Sequence, residues 1–129
     1  MPLARIDVPH HTSRAVLEAI SDTVYEAMLT VAGVPAHDKF QVISRHAPDE
    51  LVYPSNGYLG VHYSANIVFI QVTWNAGRTT AVKRAFYRAV ADGIHVATGM
   101  RTEDVIISLV DVQPENWSLG TGAMPYGPA

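Results

Sequence analysis

Residues 66–72, NIVFIQV, decide the fold class, because they form an almost continuous apolar run that is rich in β-branched side chains. Such a run is typical of a central strand in a sheet that is covered by helices. Residues 104–112, DVIISLVDV, have a similar composition and predict a further strand. Parallel neighbouring strands need a long crossover connection, usually a helix. The two runs therefore predict a βαβ unit over residues 66–112.

The segment between these two strands has the pattern of a helix. Gly77 breaks the strand, Thr79 or Thr80 can cap the helix N-terminus, and Gly99 can end the helix. Apolar residues recur between them at helical spacing and are expected to face the core. They are Val82, Ala85, Phe86, Ala89, Val90 and Ile94.

The first part of the chain repeats this order of elements. Residues 2–8 predict a strand, Thr12 or Ser13 can cap a helix, and KFQVISRH, residues 39–46, alternates as a half-buried strand does. The helix between the strands has its apolar positions at Val16, Leu17, Ile20, Val24, Ala27, Met28 and Val31, and is ended by Gly33 and Pro35. A second βαβ unit is therefore predicted over residues 2–46.

Tandem βαβ units predict an α+β fold in a single domain that spans residues 1–129. A linker loop at 47–65, rich in turn residues, joins the units, and a tail at 113–129, rich in Gly and Pro, follows them. Right-handed crossovers place both helices on one face of a four-stranded mixed sheet. The opposite face is expected to carry uncovered apolar side chains, which predicts burial against other subunits.

Composition narrows the functional classes. The 129 residues carry a net charge of −3, which argues against nucleic acid as a partner, and no apolar stretch is long enough to cross a membrane. The chain has no cysteine, which excludes a thiol nucleophile, and no secretory leader is visible, so a cytoplasmic location is expected. The six histidines lack metal-ligand spacing, so neither a metal nor another cofactor is expected.

Pro2, Asp38, Arg78 and Trp117 are the residues with chemical potential, although each has an ordinary structural explanation. Proline is tolerated at the first position of a strand, and a lone Asp often holds a turn. An isolated Trp is more often part of a core than of a site. The chemical alternative for Pro2 is that removal of Met1 leaves a secondary amine on a rigid ring, able to act as a base, an acid or a nucleophile.

Taken together, these residues resemble the tautomerase superfamily, and more narrowly its malonate semialdehyde decarboxylase branch. The resemblance covers nearly the whole chain and is carried by the Met-Pro start, GVPAHDKFQVISRHAPDEL, GRTTAVK and NWSLG. It implies a trimeric tautomerase fold in which Pro2 is the catalytic group and Asp38 the active-site aspartate. It further implies that Arg78 binds the substrate carboxylate and that Trp117 walls the pocket, with Leu119 where the decarboxylase has a phenylalanine.

The implied function is that of an enzyme with an N-terminal proline that decarboxylates or hydrates small oxo acids, with a possible enol–keto tautomerase side activity. Ala76 stands where the decarboxylase has a second arginine, and Asn75 where the cis-3-chloroacrylic acid dehalogenases have theirs. A broader 2-oxo acid tautomerase or a cis-3-haloacrylate dehalogenase or hydratase is therefore an alternative. A second alternative is a non-catalytic ferredoxin-like binding module, in which Pro2 merely begins a strand.

Overall fold

The computed structural model describes residues 1–128, which form four strands, two long helices and two short 3-10 helices. The strands are β1 (Pro2–Pro9), β2 (Gln41–His46), β3 (Val68–Asn75) and β4 (Val105–Val112), and the helices are α1 (Arg14–Thr30) and α2 (Thr80–Thr98). The 3-10 helices are Thr102–Asp104 and Pro114–Asn116. Among these residues, no helix combines the length and apolarity that a membrane crossing needs.

The four strands form one mixed sheet in the order β2-β1-β3-β4. Strand β1 is parallel to β2 and β3 is parallel to β4, whereas the two central strands β1 and β3 are antiparallel. Each parallel pair is joined by one helix, so the predicted tandem βαβ fold with a four-stranded mixed sheet is confirmed. The antiparallel pairing of β1 with β3 forms the central seam of the sheet. In this seam Ile6 lies opposite Ile70, and Pro2 lies opposite Trp74.

Both helices pack against the same face of the sheet, as predicted. Side chains at alternate positions of β1 and β3 are buried under the helices, which is the period-2 pattern of a strand with one covered face. One of the residues predicted to face inward, Ala85, is instead exposed beside the buried Phe86. The core includes Ala4, Ile6, Val8, Ile20, Val24, Ile70, Val72, Trp74, Phe86, Val90 and Ile94.

The face of the sheet opposite the helices is mixed: it carries the predicted uncovered apolar side chains at Phe40, Val42 and Val110, and polar side chains beside them. Arg5 of β1 lies opposite Gln71 of β3, and Gln71 lies beside Ser108 of β4, so a polar row crosses the sheet. Asp7 and His46 add a hydrogen bond with a distance of 2.6 Å between Oδ1 and Nε2. The apolar run of β3 hid this row, because Gln71 is a single polar residue between the apolar residues 67–70 and Val72.

The helix ends follow the predicted chemistry. The Ser13 hydroxyl accepts a hydrogen bond from the Val16 N–H, and the Thr79 hydroxyl accepts one from the Val82 N–H. Gly99 ends α2 with a φ of 76°, in the left-handed region that favours glycine.

Several element ends differ from the prediction by one to three residues. Helix α1 ends at Thr30, before Gly33. Val31 is its C-cap and donates its N–H to the carbonyl of Ala27. Strand β3 runs to Asn75, three residues beyond the predicted end at 72, because Trp74 and Asn75 still pair with β4.

The two helices approach each other closely at Gly93 of α2. A Cβ atom at that position would lie 2.6 Å from Cγ2 of Thr23 on α1. Because Thr is β-branched, its methyl group cannot easily rotate away from such a contact. The missing side chain of Gly93 therefore sets how closely the helices can pack.

We expect Gly93→Ala to destabilise the protein by about 1 kcal/mol or more. Overpacking lowers the free energy of unfolding by roughly 1–3 kcal/mol, and the higher helix propensity of Ala raises it by about 1 kcal/mol. Urea unfolding followed by circular dichroism measures the difference. In the matched background Thr23→Ser, which lacks the methyl group, the same substitution should be neutral or stabilising. A more stable Gly93→Ala protein in the wild-type background would contradict the proposed contact.

Candidate active site

The candidate residues meet where β1 begins and β3 ends. The ends of these two central strands form one edge of the sheet, perpendicular to the strand direction. Because these strands are antiparallel neighbours, Pro2 lies directly opposite Trp74. Both residues are buried, and the chain continues from β3 through Gly77 to Arg78. The beginning of the chain and the turn that carries Arg78 are thus held side by side.

Asp38 reaches this edge from the connection between α1 and β2. The preceding residue His37 has a φ of 71°, and its N–H donates to the Tyr25 hydroxyl at 2.9 Å. Asp38 Oδ2 lies 3.5 Å from the terminal nitrogen of Met1, whose side chain is only 4 % exposed. Asp38 Oδ1 is buried and accepts no hydrogen bond from residues 1–128. A buried acceptor without a donor is uncommon in folded proteins and marks this carboxylate as a candidate for function.

Arg78 is held by backbone carbonyls and by an aromatic face. Its Nε donates to the Ala32 carbonyl and its Nη1 to the Asn75 carbonyl, both at 3.1 Å. The guanidinium carbon lies 4.4 Å from the centre of the Trp74 ring. A guanidinium has five N–H donors, so about three remain available after these two contacts. Arg78 forms no ion pair with any of residues 1–128.

The electrostatics of this edge leave the charge of Arg78 available. Partial burial lowers the pKa of Arg78, and the nearby charge of Asp111 opposes that effect. Asp111 has its own partners, because it accepts hydrogen bonds from Lys83 Nζ at 2.7 Å and from the Trp74 indole at 2.9 Å. The hydrogen bond from Lys83 is the main reason why the pKa of Asp111 is lowered. A fixed guanidinium without a carboxylate partner is suited to bind the carboxylate of a small molecule.

Trp117 joins the same cluster from the tail. Its indole N–H donates to Asn75 Oδ1 at 2.8 Å, which attaches the segment after Pro114–Asn116 to the end of β3. Leu119 lies two residues further on and is 41 % exposed, so it is not packed into the cluster as Trp74 is. Pro2, Asp38, Arg78 and Trp117 are therefore gathered at one edge, and Leu119 lies at its outer margin.

Sequence analysis missed the central role of Trp74. Its ring lies under Arg78 and its indole N–H reaches Asp111, while its edge contacts Phe86 in the core with ring centres 5.1 Å apart. The available signal was an aromatic residue at the end of the buried strand, shortly before an arginine. Within residues 1–128, no group of three or more His, Asp or Glu side chains is placed to hold a metal ion.

A family model described as tautomerase enzyme matches residues 38–120. The chain belongs to the tautomerase family. Among curated relatives of this tautomerase, the probable tautomerase YusQ of Bacillus subtilis is 37 % identical over 122 residues, which cover 95 % of each chain. The probable tautomerase YrdN of the same organism is 28 % identical over 126 residues, 98 % of this chain and 96 % of the relative.

Solved structures confirm the resemblance to the malonate semialdehyde decarboxylase branch. The tautomerase superposes on a malonate semialdehyde decarboxylase inhibited by 3-bromopropiolate with a TM-score of 0.88, 34 % identity, and coverage of 96 % of this chain and 93 % of the other. A second malonate semialdehyde decarboxylase, described with decarboxylase and hydratase activities, gives a TM-score of 0.87 and 30 % identity, covering 96 % and 95 %. A fused 4-OT symmetric trimer, 21 % identical with a TM-score of 0.77, shares the fold.

Proposed function

We propose that this tautomerase is an enzyme with an N-terminal proline that acts on small oxo acids, in the manner of a malonate semialdehyde decarboxylase. The observation that carries the proposal is the unpaired guanidinium of Arg78, fixed on Trp74 directly across the sheet from Pro2. The likeness to two malonate semialdehyde decarboxylases at 34 % and 30 % identity supports the same chemistry. The substrate is a small carboxylate.

The reactive group in this proposal is the amine of Pro2, formed when Met1 is removed. With Met1 in place, the nitrogen of Pro2 is part of a tertiary amide and has no proton or free lone pair to use. The terminal nitrogen of Met1 already lies 3.5 Å from Asp38, so a charged chain terminus is tolerated beside this carboxylate. Removal of Met1 moves the terminus to Pro2, where the negative charge of Asp38 favours the protonated amine.

Decarboxylation of a 3-oxo acid needs a place for the electron pair of the breaking carbon–carbon bond. Carbon dioxide leaves, and the electron pair flows into the carbonyl group to form an enolate. A protonated Pro2 would donate a hydrogen bond to the developing oxyanion, and the enolate carbon then takes up a proton to give the aldehyde. A neutral Pro2 would instead add to the carbonyl carbon and lose water to form an iminium, which is a stronger electron acceptor. Loss of carbon dioxide then gives an enamine, and protonation of its carbon followed by hydrolysis releases the aldehyde and restores the amine.

The other residues have supporting roles in this reaction. Arg78 would bind the carboxylate through two N–H donors and thereby orient the substrate. Asp38 would position water for hydration of an unsaturated or carbonyl carbon. The indole ring of Trp117, with Leu119 at the margin, would lower the local dielectric around the leaving carboxylate.

A 2-oxo acid tautomerase is the second candidate. It is favoured by the single arginine, because Ala76 provides no second cation to fix a particular substrate, and by the relatives named probable tautomerases. In this reaction Pro2 would take a proton from oxygen or carbon and return it to the other atom. A cis-3-haloacrylate dehalogenase or hydratase would use the same carboxylate contact and the water held by Asp38.

We further propose a homotrimer that covers the mixed face of the sheet. This face is open on the side away from the helices, and it has exposed apolar side chains at Phe40, Val42 and Val110, with exposed fractions of 46 %, 40 % and 38 %. The polar row of Arg5, Gln71 and Ser108 offers hydrogen-bonding groups to a neighbouring sheet. Structures of the same fold described as trimers support this stoichiometry.

The homotrimer proposal predicts a particle of three times the 14.0 kDa chain mass at micromolar concentration. Burial of three copies of an open sheet face is the physical reason for association. Multi-angle light scattering after size exclusion measures the mass directly. A stable monomer at this concentration would rule out the proposed assembly.

Pro2→Ala is expected to lower turnover of 3-oxopropanoate by about 100-fold or more, in the range of general acid–base catalysis. Intact-protein mass first establishes whether Met1 has been removed. A matched control places a protease-cleavable extension directly before Pro2: the uncleaved protein should be inactive, and cleavage to Pro2 should restore turnover. Circular dichroism should be unchanged. Full turnover by Pro2→Ala would show that the amine is not the catalyst and would favour a different site or a binding module.

Arg78→Ala is expected to reduce kcat/KM for oxo acids at least about tenfold, because a charge-assisted hydrogen-bonded contact contributes roughly 1.5–3 kcal/mol. Arg78→Lys should recover part of this loss, since it keeps the charge and loses the planar two-point contact. The matched control is Arg84→Ala on the exposed side of α2, which removes the same net charge. Equal kinetics of Arg78→Ala and Arg84→Ala would remove Arg78 from the site.

A further inference from the structure

We propose that Tyr25 is a positioning residue, which sets the place of the Asp38 carboxylate by holding the residues on either side of it. This inference rests on the proposed function, in which Asp38 favours the protonated amine of Pro2. Tyr25 lies in α1 with a half-buried side chain, and its hydroxyl accepts a hydrogen bond from the His37 N–H at 2.9 Å. One neighbour of Asp38 is therefore tied to this helix through its backbone.

The other neighbour of Asp38 contacts the same tyrosine. Lys39 Nζ lies 5.1 Å from the centre of the Tyr25 ring, within the distance at which a cation is attracted to an aromatic face. The same ammonium group lies 3.6 Å from Asp22 Oδ1, which is also on α1. Tyr25 thus holds one flanking residue with its hydroxyl and the other with its ring.

Asp38 itself lies on the other side of this segment. Gln41 continues the contacts with α1, because its side chain forms hydrogen bonds with the hydroxyl and the carbonyl of Ser21. Asp38 Oδ2 instead lies 3.5 Å from the terminal nitrogen of Met1, and Oδ1 accepts no hydrogen bond from residues 1–128. A carboxylate with so few partners of its own has its position set by the chain on either side of it.

The backbone at His37 has a conformation that needs such support. Its φ of 71° lies in the left-handed region, which is uncommon for a residue with a Cβ atom. Residues in such conformations persist where the surrounding structure holds them, and they are frequent at functional sites. The turn also has a backbone hydrogen bond from the Asp38 N–H to the Pro35 carbonyl, at 3.3 Å. The bond to the Tyr25 hydroxyl is the shorter of the two.

The pKa of the Pro2 amine reports the place of the Asp38 charge without relying on turnover. The protein is prepared with Pro2 at its terminus and labelled with ¹⁵N-proline. The nitrogen of Pro2 is then an amine, whereas every other proline nitrogen is an amide, so its NMR signal titrates separately. Asp38→Asn should lower the pKa of this amine by about 1, because it removes a nearby negative charge. Tyr25→Phe keeps the ring and loses only the hydroxyl, and should lower the pKa by roughly a third as much, since the carboxylate is then less well placed.

Two controls isolate the role of the hydroxyl. Tyr87→Phe removes the same atom from an exposed tyrosine of α2 and should leave the pKa of the Pro2 amine unchanged. In the Asp38→Asn background, Tyr25→Phe should have no further effect, because the charge that it positions is absent. The other charged side chains described at this edge are the same in every variant: Arg78, Lys83 and Asp111.

The titrations separate this inference from the proposed function. If Asp38→Asn lowers the pKa and Tyr25→Phe does not, the role of Tyr25 is wrong and the proposed interaction of Asp38 with Pro2 stands. Equal lowering by Tyr25→Phe with and without Asp38 would also overturn the inference, since the hydroxyl would then act on the amine by another route. If Asp38→Asn leaves the pKa unchanged, the proposed interaction of Asp38 with the amine fails, and the inference about Tyr25 fails with it.

Discussion

The antiparallel pairing of β1 with β3 is the constraint on which the rest of this molecule depends. Each βαβ unit alone would place its candidate site residues at separate positions, with Pro2 and Asp38 in one unit and Arg78 in the other. The central seam sets the first residue of β1 opposite the penultimate residue of β3. Trp74 then connects this edge to the core, because its ring is packed against Phe86 and carries the guanidinium of Arg78. A single tryptophan thus joins the stability of the sheet to the geometry of the candidate site.

The three charged side chains at this edge, Asp111, Asp38 and Arg78, differ in how fully their hydrogen-bonding groups are used. Asp111 is an acceptor for Lys83 and Trp74, and it serves as a structural support behind the aromatic ring. Asp38 and Arg78 instead keep unused hydrogen-bonding capacity in partly buried positions. Partly buried charged groups with unused hydrogen-bonding capacity are costly for folding, and such groups are commonly retained where a ligand supplies the missing partners.

Much of the fold was accessible from the sequence, because it is determined by local signals. The left-handed Gly99 and the spacing of Ile20, Val24 and Phe86 are properties of neighbouring residues, and they were correctly assigned. Each helix cap was narrowed to two adjacent residues, and the caps are Ser13 and Thr79. The resemblance to known proteins identified the family for the same reason, since its motifs are short and contiguous.

The features that sequence analysis could not provide depend on contacts between distant residues. Asn75 and Trp117 are 42 residues apart, and no periodicity indicates that an indole will orient that amide. The polar row on the open face became visible only when the register placed Arg5, Gln71 and Ser108 side by side. The position of Leu119 likewise depends on the path of a tail that lacks regular structure beyond its 3-10 helix.

The two carbonyl oxygens that hold Arg78 have a consequence for how this protein can evolve. Ala32 and Asn75 contribute backbone atoms to the guanidinium, and every amino acid has a backbone carbonyl. Substitutions at positions 32, 75 and 76 can therefore change the size and polarity of the surroundings, while the two backbone contacts that hold the guanidinium are inherited unchanged. A lineage built on this arrangement can change the surroundings of the guanidinium through single codon changes and keep, in every intermediate, the group that we propose as the carboxylate contact.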